Sequence, residues 1–176
     1  VIEEGEFSLF SNSYLLLIGK KPQTVYAKFS NDRAKAWAIR TLIHKSAAGT
    51  FLVEKQPNDK DANAHIVHTY QAYEALSRRY EGTKIRMNEC KRTPQSIVFP
   101  FCQGRTLEEL LDERLDEQDA EGFRKLIEEY MHWLSYNEEA NVSNIDFIFP
   151  NILVDGDTWH VIDYEWTFDR TVPAKD

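Results

Sequence analysis

The stretch DFIFPNILVDGDTWHVIDYEW, residues 146 to 166, carries more information about this chain than any other. Its apolar runs NILV and WHVID predict two strands, and the DGD between them suits a tight hairpin turn. Asp146, Asn151 and Asp163 stand out among these apolar residues as isolated polar side chains. Their spacing therefore calls for a chemical explanation.

The spacing of these three residues is typical of a phosphoryl-transfer site. Asp146 and Asn151 are separated as D-x-x-x-x-N, and Asp163 ends a strand just beyond the hairpin. Transfer from a magnesium nucleotide needs one carboxylate for the acceptor hydroxyl, and a carboxamide plus a second carboxylate for the metal. The D-x-x-x-x-N spacing alone is weak evidence for such a site, because Asp and Asn often cap loops. Asp163 could instead cap a turn or pair with Arg170.

The composition indicates a globular, acidic protein. Its 176 residues, 42% hydrophobic and 12% aromatic, can fill the core of one domain or of two small lobes. The net charge of −8 argues against nucleic acid or an anionic membrane as a partner. Cys90 and Cys102 form neither a disulfide framework nor a zinc pattern, which favours the cytoplasm. No apolar run approaches the ~20 residues of a membrane span, and the strongest, YLLLI at 14–18, suits a buried strand.

Apolar periodicity and turn residues predict an order of strands, one helix, two strands, two helices and a hairpin. A capping box of Thr106 and Glu109 opens the second helix. The other predicted elements are the strands TVYAKFS (24–30), WAIRTLIHK (37–45), TFLVEKQ (50–56), KIRMNECK (84–91) and SIVFPFCQG (96–104), a helix between Pro57 and Gly82, and a helix at about 121–136.

If the phosphoryl-transfer interpretation holds, the N-terminal strands should offer a lysine and the following helix a glutamate. FLVEK places Lys55 near the end of a strand, on the same face as Val53. Glu74 lies in the middle of the helix, and apolar neighbours one and two turns earlier predict that its stem lies on the apolar stripe. It would then pair with Lys55. The alternatives are a surface pair of Glu74 with Arg78 and a solvated Lys55.

With these residues in this order, and with VIDYEW at 161–166, the chain resembles the protein-kinase-like fold. Within it, the resemblance is to the aminoglycoside phosphotransferase and choline kinase branch, over residues 24 to 169. It implies an α+β, two-lobed fold with an antiparallel N-lobe sheet plus a helix and a shortened helical C-lobe. The implied domains are an N-terminal extension with a short strand at 1–23, an N-lobe at 24–102, and a partial C-lobe with the catalytic loop and metal-binding hairpin at 103–176.

The resemblance also implies a role for each candidate residue. Asp146 would be the catalytic base, and Asn151 and Asp163 would bind Mg²⁺. Lys55 would contact the α- and β-phosphates of ATP, and Glu74 would hold Lys55 in place.

The resemblance assigns further residues to the nucleotide, and the chain departs from the family at Asn144 and in the loop that would cover the phosphates. Val53 is expected beside the nucleotide, with Phe101 and Gln103 in the lobe-joining segment whose backbone would read adenine. However, Asn144 stands where choline kinases have a histidine two positions before the catalytic aspartate. The loop SNDRAKAWA (30–38) contains no glycine where a glycine-rich phosphate loop would lie.

The expected activity is ATP- and magnesium-dependent phosphoryl transfer to a hydroxyl of a small molecule or glycan. The alternative is a catalytically weak or inactive nucleotide-binding pseudokinase module, an accessory domain of a larger bacterial enzyme such as one that builds glycans.

Because few residues follow Asp163, we expect the apolar face around Trp166 and Phe168 to self-associate or to dock on a missing part of a longer polypeptide. His65 and His68 could form a metal pair by spacing, but no third ligand is evident, so we reject that site.

Overall fold

The computed structural model describes residues 24–30 and 32–174, so the short strand predicted within 1–23 lies outside the described residues. These residues divide into two compact units. One consists of the described residues up to Ile66 together with Lys91–Phe101, and the other of Val67–Cys90 together with the described residues from Cys102 onward. In chain order the elements are β1 Thr24–Phe29, β2 Ile39–Lys45, β3 Phe51–Pro57, α1 Asn63–Arg79, β4 Ile85–Met87, β5 Lys91–Arg92, β6 Ile97–Pro100, β7 Arg105–Thr106, α2 Leu107–Asp116, α3 Ala120–Leu134, β8 Ser143–Asn144, β9 Ile152–Asp155, β10 Thr158–Val161 and β11 Thr167–Phe168.

The first unit is built on an antiparallel sheet in the order β1-β2-β3-β6-β5. The turn SAAG (46–49) joins β2 to β3, and its Gly49 adopts φ +86°, a left-handed conformation that favours glycine. Alternation along the strands buries Ile39, Ile97 and Phe99, while the opposite face mixes polar side chains such as Glu54 with apolar ones. The predicted α+β class, with an antiparallel N-terminal sheet and a few helices, is confirmed.

The helix α1 follows the start and stop signals in the sequence. The Asp59 side chain accepts a hydrogen bond from the Asp61 N–H in the short 3-10 helix that leads into α1. Beyond the last helical residue, Gly82 has φ +75°, which ends the segment in the left-handed conformation. Leu76 is completely buried on the inner side of the helix.

The second unit contains a sheet in the order β4-β10-β9-β7. The predicted hairpin is its centre: β9 and β10 pair antiparallel around the DGD turn, where Gly156 has φ +54°. Strand β4 pairs with β10 in parallel, with Ile85 opposite Trp159. The strand β7, only two residues long, pairs with β9 and was not predicted, because so short a strand shows no periodicity.

Two helices of the second unit begin at side-chain caps. The predicted capping box is present at the start of α2, where Thr106 and Glu109 each accept a backbone hydrogen bond from the other. Asp119 caps α3 by accepting from the Gly122 N–H. The helix α3 ends two residues earlier than predicted, and Asn137 follows in a left-handed conformation.

The core of the second unit combines residues from its sheet and helices. Its most completely buried large side chains are Trp159, Tyr164, Leu76, Ile85, Leu107, Ile152 and Val161. Within the described residues, no helix is both long and apolar enough to cross a membrane.

Candidate functional site

The three polar residues of the hairpin region belong to one hydrogen-bonded group in the second unit. The Asn151 side chain donates from Nδ2 to the backbone carbonyl of Asp146 at 3.0 Å. Asn144 accepts at Oδ1 from the Asp146 N–H at 2.9 Å, and it donates from Nδ2 to the backbone carbonyl of Asp163 at 3.2 Å. The structure therefore brings Asp146, Asn151 and Asp163 together, and Asn144 bridges the segments that carry the two acids.

The carboxylate of Asp146 is held by the turn that follows Asp163. Its Oδ2 accepts a hydrogen bond from the Trp166 N–H at 3.0 Å. The Ile145 N–H donates to the Trp166 carbonyl at 3.0 Å, and β8 pairs antiparallel with β11, with Asn144 opposite Thr167. We call this pair of short strands the β8–β11 ribbon. It fixes the Asp146 loop to the turn after Asp163.

The hairpin brings Asn151 next to the end of β10. The Ile162 N–H donates to the Asn151 carbonyl at 3.0 Å. Asp163 is the next residue after Ile162, so it lies close to Asn151. Because the Asn151 amide nitrogen is used toward Asp146, its Oδ1 is the atom suited to a metal. Asp163 Oδ1 accepts from the Glu165 N–H at 3.4 Å.

The side chains of Asn151 and Asp163 offer the kind of ligand that magnesium prefers, since an amide oxygen and a carboxylate are both hard oxygen ligands. Among residues 24–30 and 32–174, no group of three or more His, Cys, Asp or Glu side chains could hold a metal ion. Magnesium commonly binds through one or two protein oxygens together with substrate phosphates and water, so Asn151 and Asp163 fit that mode.

Tyr164 anchors the turn that carries Asp163. Its ring is 1% exposed and lies 6.3 Å from the ring of Tyr73 between centroids. Its hydroxyl donates to the Asn88 carbonyl at 2.8 Å, and burial raises the pKa of Tyr164 far above its ordinary value. The phenol therefore stays neutral and remains a donor. The Thr167 hydroxyl donates back to the Tyr164 carbonyl at 2.9 Å.

Aromatic residues support the other side of the Asp146 loop. The Tyr130 hydroxyl donates to the Phe147 carbonyl at 2.7 Å, and the two rings stack with centroids 5.8 Å apart. The Phe147 ring also stacks on Tyr80, whose pKa burial raises to about 12. A cavity of about 190 Å³ adjoins these residues, and Ile148 and Pro173 contribute to its lining.

Lys55 and Val53 lie in β3 of the first unit. Lys55 is 7% exposed, and its Nζ lies 5.9 Å from the centroid of the Phe99 ring. Val53 is directly opposite Phe99 in the pairing of β3 with β6. Lys55 shares the apolar face of the sheet with Val53, as predicted, and the aromatic face offers the ammonium a favourable electrostatic contact. Since Lys55 and the Asp146 group belong to different compact units, their joint action stays a prediction.

The predicted orientation of Glu74 is wrong, because its side chain is exposed. The buried stripe of α1 runs through Thr69, Ala72 and Leu76, and Glu74 is two residues from the last two of these. Two residues correspond to about 200° around a helix, which turns the side chain to the opposite side. The charge of Glu74 is the main cause that raises the pKa of Tyr70, with burial and a hydrogen bond to Glu74 adding to it. Pairing of Glu74 with Lys55 stays a prediction.

Phe101 and Gln103 flank the boundary between the two units. Phe101 is 42% exposed, and its ring lies 5.7 Å from that of Phe51. Gln103 is exposed, and Gly104 follows with φ +148°, a conformation that L side chains rarely adopt. Their predicted contact with adenine stays a prediction.

Sequence reasoning treated Asn144 only as a departure from the family and missed what its carboxamide does. An Asn two residues before an Asp is a local signal, because Asn side chains often accept a hydrogen bond from the backbone two residues later. The hydrogen bond from Asn144 to Asp163 spans 19 residues, and no local pattern could have indicated it.

The chain matches no protein-family model and no curated protein. Among solved structures, it is similar to the apoenzyme crystal structure of a macrolide 2′-phosphotransferase from Brachybacterium faecium, with a TM-score of 0.41 and 10% identity. The match covers 80% of this chain and 66% of the chain of that enzyme. Likeness at this level identifies neither a reaction nor a substrate for the present chain.

Proposed function

We propose that this protein is a phosphotransferase that uses ATP and Mg²⁺ to phosphorylate a hydroxyl group of a small molecule or glycan. The observation that carries the proposal is the hydrogen-bonded group of Asp146, Asn151 and Asp163 around Asn144. Enzymes that transfer phosphoryl groups act mainly by positioning and by electrostatic stabilisation, so a preorganised set of oxygen ligands is the central requirement.

In the proposed reaction the acceptor oxygen forms a bond to the γ-phosphorus of ATP, and the bond from that phosphorus to the bridging oxygen of ADP breaks. The proton of the acceptor hydroxyl passes to the carboxylate of Asp146. The Trp166 N–H holds one oxygen of this carboxylate, which fixes the orientation of the base.

The other proposed roles concern the nucleotide. Asn151 and Asp163 would hold Mg²⁺, which neutralises phosphate charge when bound. Lys55 would contact the α- and β-phosphates, and its position on the apolar face of β3 supports this because a desolvated cation interacts strongly with phosphate. Glu74 would hold Lys55 in place, and the remaining nucleotide contacts are proposed for Val53, Phe101 and Gln103.

A direct test measures phosphorylation of a panel of sugars and amino alcohols with labelled ATP. We expect Asp163→Ala to lower the rate by about a hundredfold or more, the scale of losing one preorganised electrostatic group at a reacting centre. The matched control is Asp157→Ala, which removes an exposed carboxylate from the DGD turn and should leave the rate unchanged. Equal rates in wild type and Asp163→Ala would refute the assignment.

The second candidate is an inactive nucleotide-binding module that serves a larger enzyme. It is favoured by the connection between β1 and β2, which contains no glycine and whose described part includes a 3-10 helix at Lys35–Trp37. Backbone without glycine approaches phosphates less closely. Thermal unfolding with ATP, with and without Mg²⁺, separates the two candidates, because any ligand of the folded state raises its stability. Stabilisation without turnover on the panel would favour the inactive module.

A further inference from the structure

His68 connects α1 to the β8–β11 ribbon. Its Nε2 lies 2.7 Å from the backbone carbonyl oxygen of Thr167, a contact between residues 99 positions apart in the chain. Because a carbonyl oxygen can only accept, Nε2 carries the proton and donates. His68 therefore contributes a directed hydrogen bond rather than a metal ligand.

The carbonyl that His68 holds lies just after the turn of the candidate site. Thr167 is 2% exposed and stands opposite Asn144 in the ribbon. The residue before it, Trp166, donates its N–H to the carboxylate of Asp146. A short path thus runs from His68 through Thr167 and Trp166 to the proposed catalytic base.

The ribbon needs support from outside, because each of its strands has only two residues. Isolated two-stranded pairs are marginally stable in water even when they are longer. The hydrogen bond from α1 is one such support, and the packing of Tyr164 against Tyr73 of the same helix is another. Loss of the His68 contact should loosen the ribbon before it affects the rest of the second unit.

We propose that His68 is a positioning residue, which fixes the turn after Asp163 to α1 and so sets the placement of Asp163 and of the Asp146 carboxylate. The inference rests on the proposed function for its effect on magnesium and nucleotide. Its effect on the ribbon itself does not depend on catalysis.

The experiment compares His68→Gln with His68→Met in the full chain. The two replacements have similar length, but only glutamine keeps an N–H donor. The first readout is hydrogen exchange of the Ile145 and Trp166 amides, both hydrogen-bonded in the ribbon region. The second is the Mg²⁺ concentration that gives half of the ATP-dependent rise in unfolding temperature.

In His68→Met we expect exchange at these two amides to be about five- to tenfold faster, which is the effect of losing roughly one hydrogen bond. The required Mg²⁺ concentration should rise several-fold. In His68→Gln both values should stay within about twofold of wild type, because the donor is retained. Exchange in the β9–β10 hairpin should not change in either variant.

The control is Gln71→Met, which makes a similar replacement at an exposed position of α1 and should leave both readouts at wild-type values. If His68→Met exchanges like wild type, or if His68→Gln behaves like His68→Met, the proposal is overturned. Should His68→Met fail to fold, the comparison is made between His68→Gln and His68→Glu, which differ in the amide donor. If wild type shows no stabilisation by ATP and Mg²⁺, the proposed function fails, while the exchange readout still decides whether His68 holds the ribbon.

Discussion

Asn144 uses both ends of its side chain inside the candidate site. It is 8% exposed, and it joins the Asp146 N–H to the Asp163 carbonyl. A carboxamide can do this because it carries an acceptor and a donor on one planar group. It also does not titrate, so the bridge is expected to be independent of pH. Asn144 thereby supplies an orientation for Asp146 where the family resemblance led us to expect a histidine.

We expect Asn144→Leu to lower the free energy of unfolding by about 1–3 kcal/mol, the sum of two ordinary hydrogen bonds in a buried setting. Urea denaturation monitored by tryptophan fluorescence measures this change. Asn144→Asp loses the donor and sets a buried carboxylate against the Asp163 carbonyl, so it should destabilise at least as much as leucine. Full wild-type stability in the leucine variant would show that the bridge contributes nothing.

Glu54, on the face of the first sheet opposite to Lys55, is a second residue with a specific environment. Burial acts to raise its pKa, but hydrogen bonds with Ser96, Gln56 and His44 outweigh burial and hold the pKa below its ordinary value of 4.5. The His44 contact measures 3.0 Å between Nε2 and Oε2. A carboxyl whose pKa is lowered by folding stabilises the folded state above its unfolded-state pKa, and that contribution is lost as the pH falls through its folded-state pKa.

Glu54→Gln should therefore reduce the loss of stability on acidification. We expect the wild-type free energy of unfolding to fall as the pH drops below about 4.5, and the glutamine variant to show a shallower decline. Urea denaturation at a series of pH values gives both curves. Glu128→Gln serves as the control, since Glu128 pairs with Arg124 on the exposed face of α3. Parallel curves for wild type and Glu54→Gln would contradict the expectation.

At the scale of elements, Arg79 ties the end of α1 to the end of α3. Its guanidinium donates to three backbone carbonyls, those of Leu134, Tyr136 and Val142, at 2.6 to 2.9 Å. The carbonyls at a helix C-terminus lack partners within the helix, and a cation there also opposes the negative end of the helix dipole. Arg79 is 5% exposed, so these bonds form away from water. The segment so fixed leads directly into β8 and the Asp146 loop.

Arg79→Met should destabilise the fold by about 3 kcal/mol or more, because several charge-assisted hydrogen bonds are lost and buried carbonyls remain. Arg78→Met provides a matched control, since Arg78 is the exposed neighbour on the same helix and should change stability by less than about 0.5 kcal/mol. Chemical denaturation measures both variants. Similar values for the two would mean that the carbonyl contacts of Arg79 do not matter.

At the scale of the whole molecule, the surface combines a strong negative charge with exposed apolar side chains. The net charge is −8 and the pI is about 5.2. In the second unit Ile145, Ile148 and Phe168 are 52%, 46% and 37% exposed. The Arg170 guanidinium lies 5.5 Å from the Phe168 ring centroid, which gives that ring part of its cover. Self-association through such apolar residues stays a prediction.

We expect the protein to associate with increasing concentration, and more strongly as the pH approaches about 5.2, where net repulsion vanishes. Ile148→Lys should weaken association, because it places a charge that must be desolvated within the contact. Sedimentation velocity over a range of concentrations measures this. Leu52→Lys, at a comparably exposed position of the first unit, is the control. A monomer at every concentration would contradict the prediction.

The sequence alone determined the features that depend on residues close together in the chain, namely strand periodicity, turns and helix caps. The strands β1 to β3, the DGD hairpin and the capping box at Thr106 follow from residue periodicity and turn chemistry, which act over a few residues. The spacing of Asp146 and Asn151 just before the hairpin, with Asp163 just beyond it, likewise predicted the candidate site, since a short connection limits how far its ends can separate.

Only the tertiary structure decided which distant segments meet. Four features depend on partners far along the chain. They are the exposure of the Glu74 side chain, the parallel pairing of β4 with β10, and the hydrogen bonds of Asn144 to Asp163 and of His68 to Thr167. Judged from sequence alone, a side chain with both donor and acceptor atoms could form hydrogen bonds with many partners equally well. The physical reason is that the burial of the core fixes the register and path of the elements, and these in turn select one partner for each polar group.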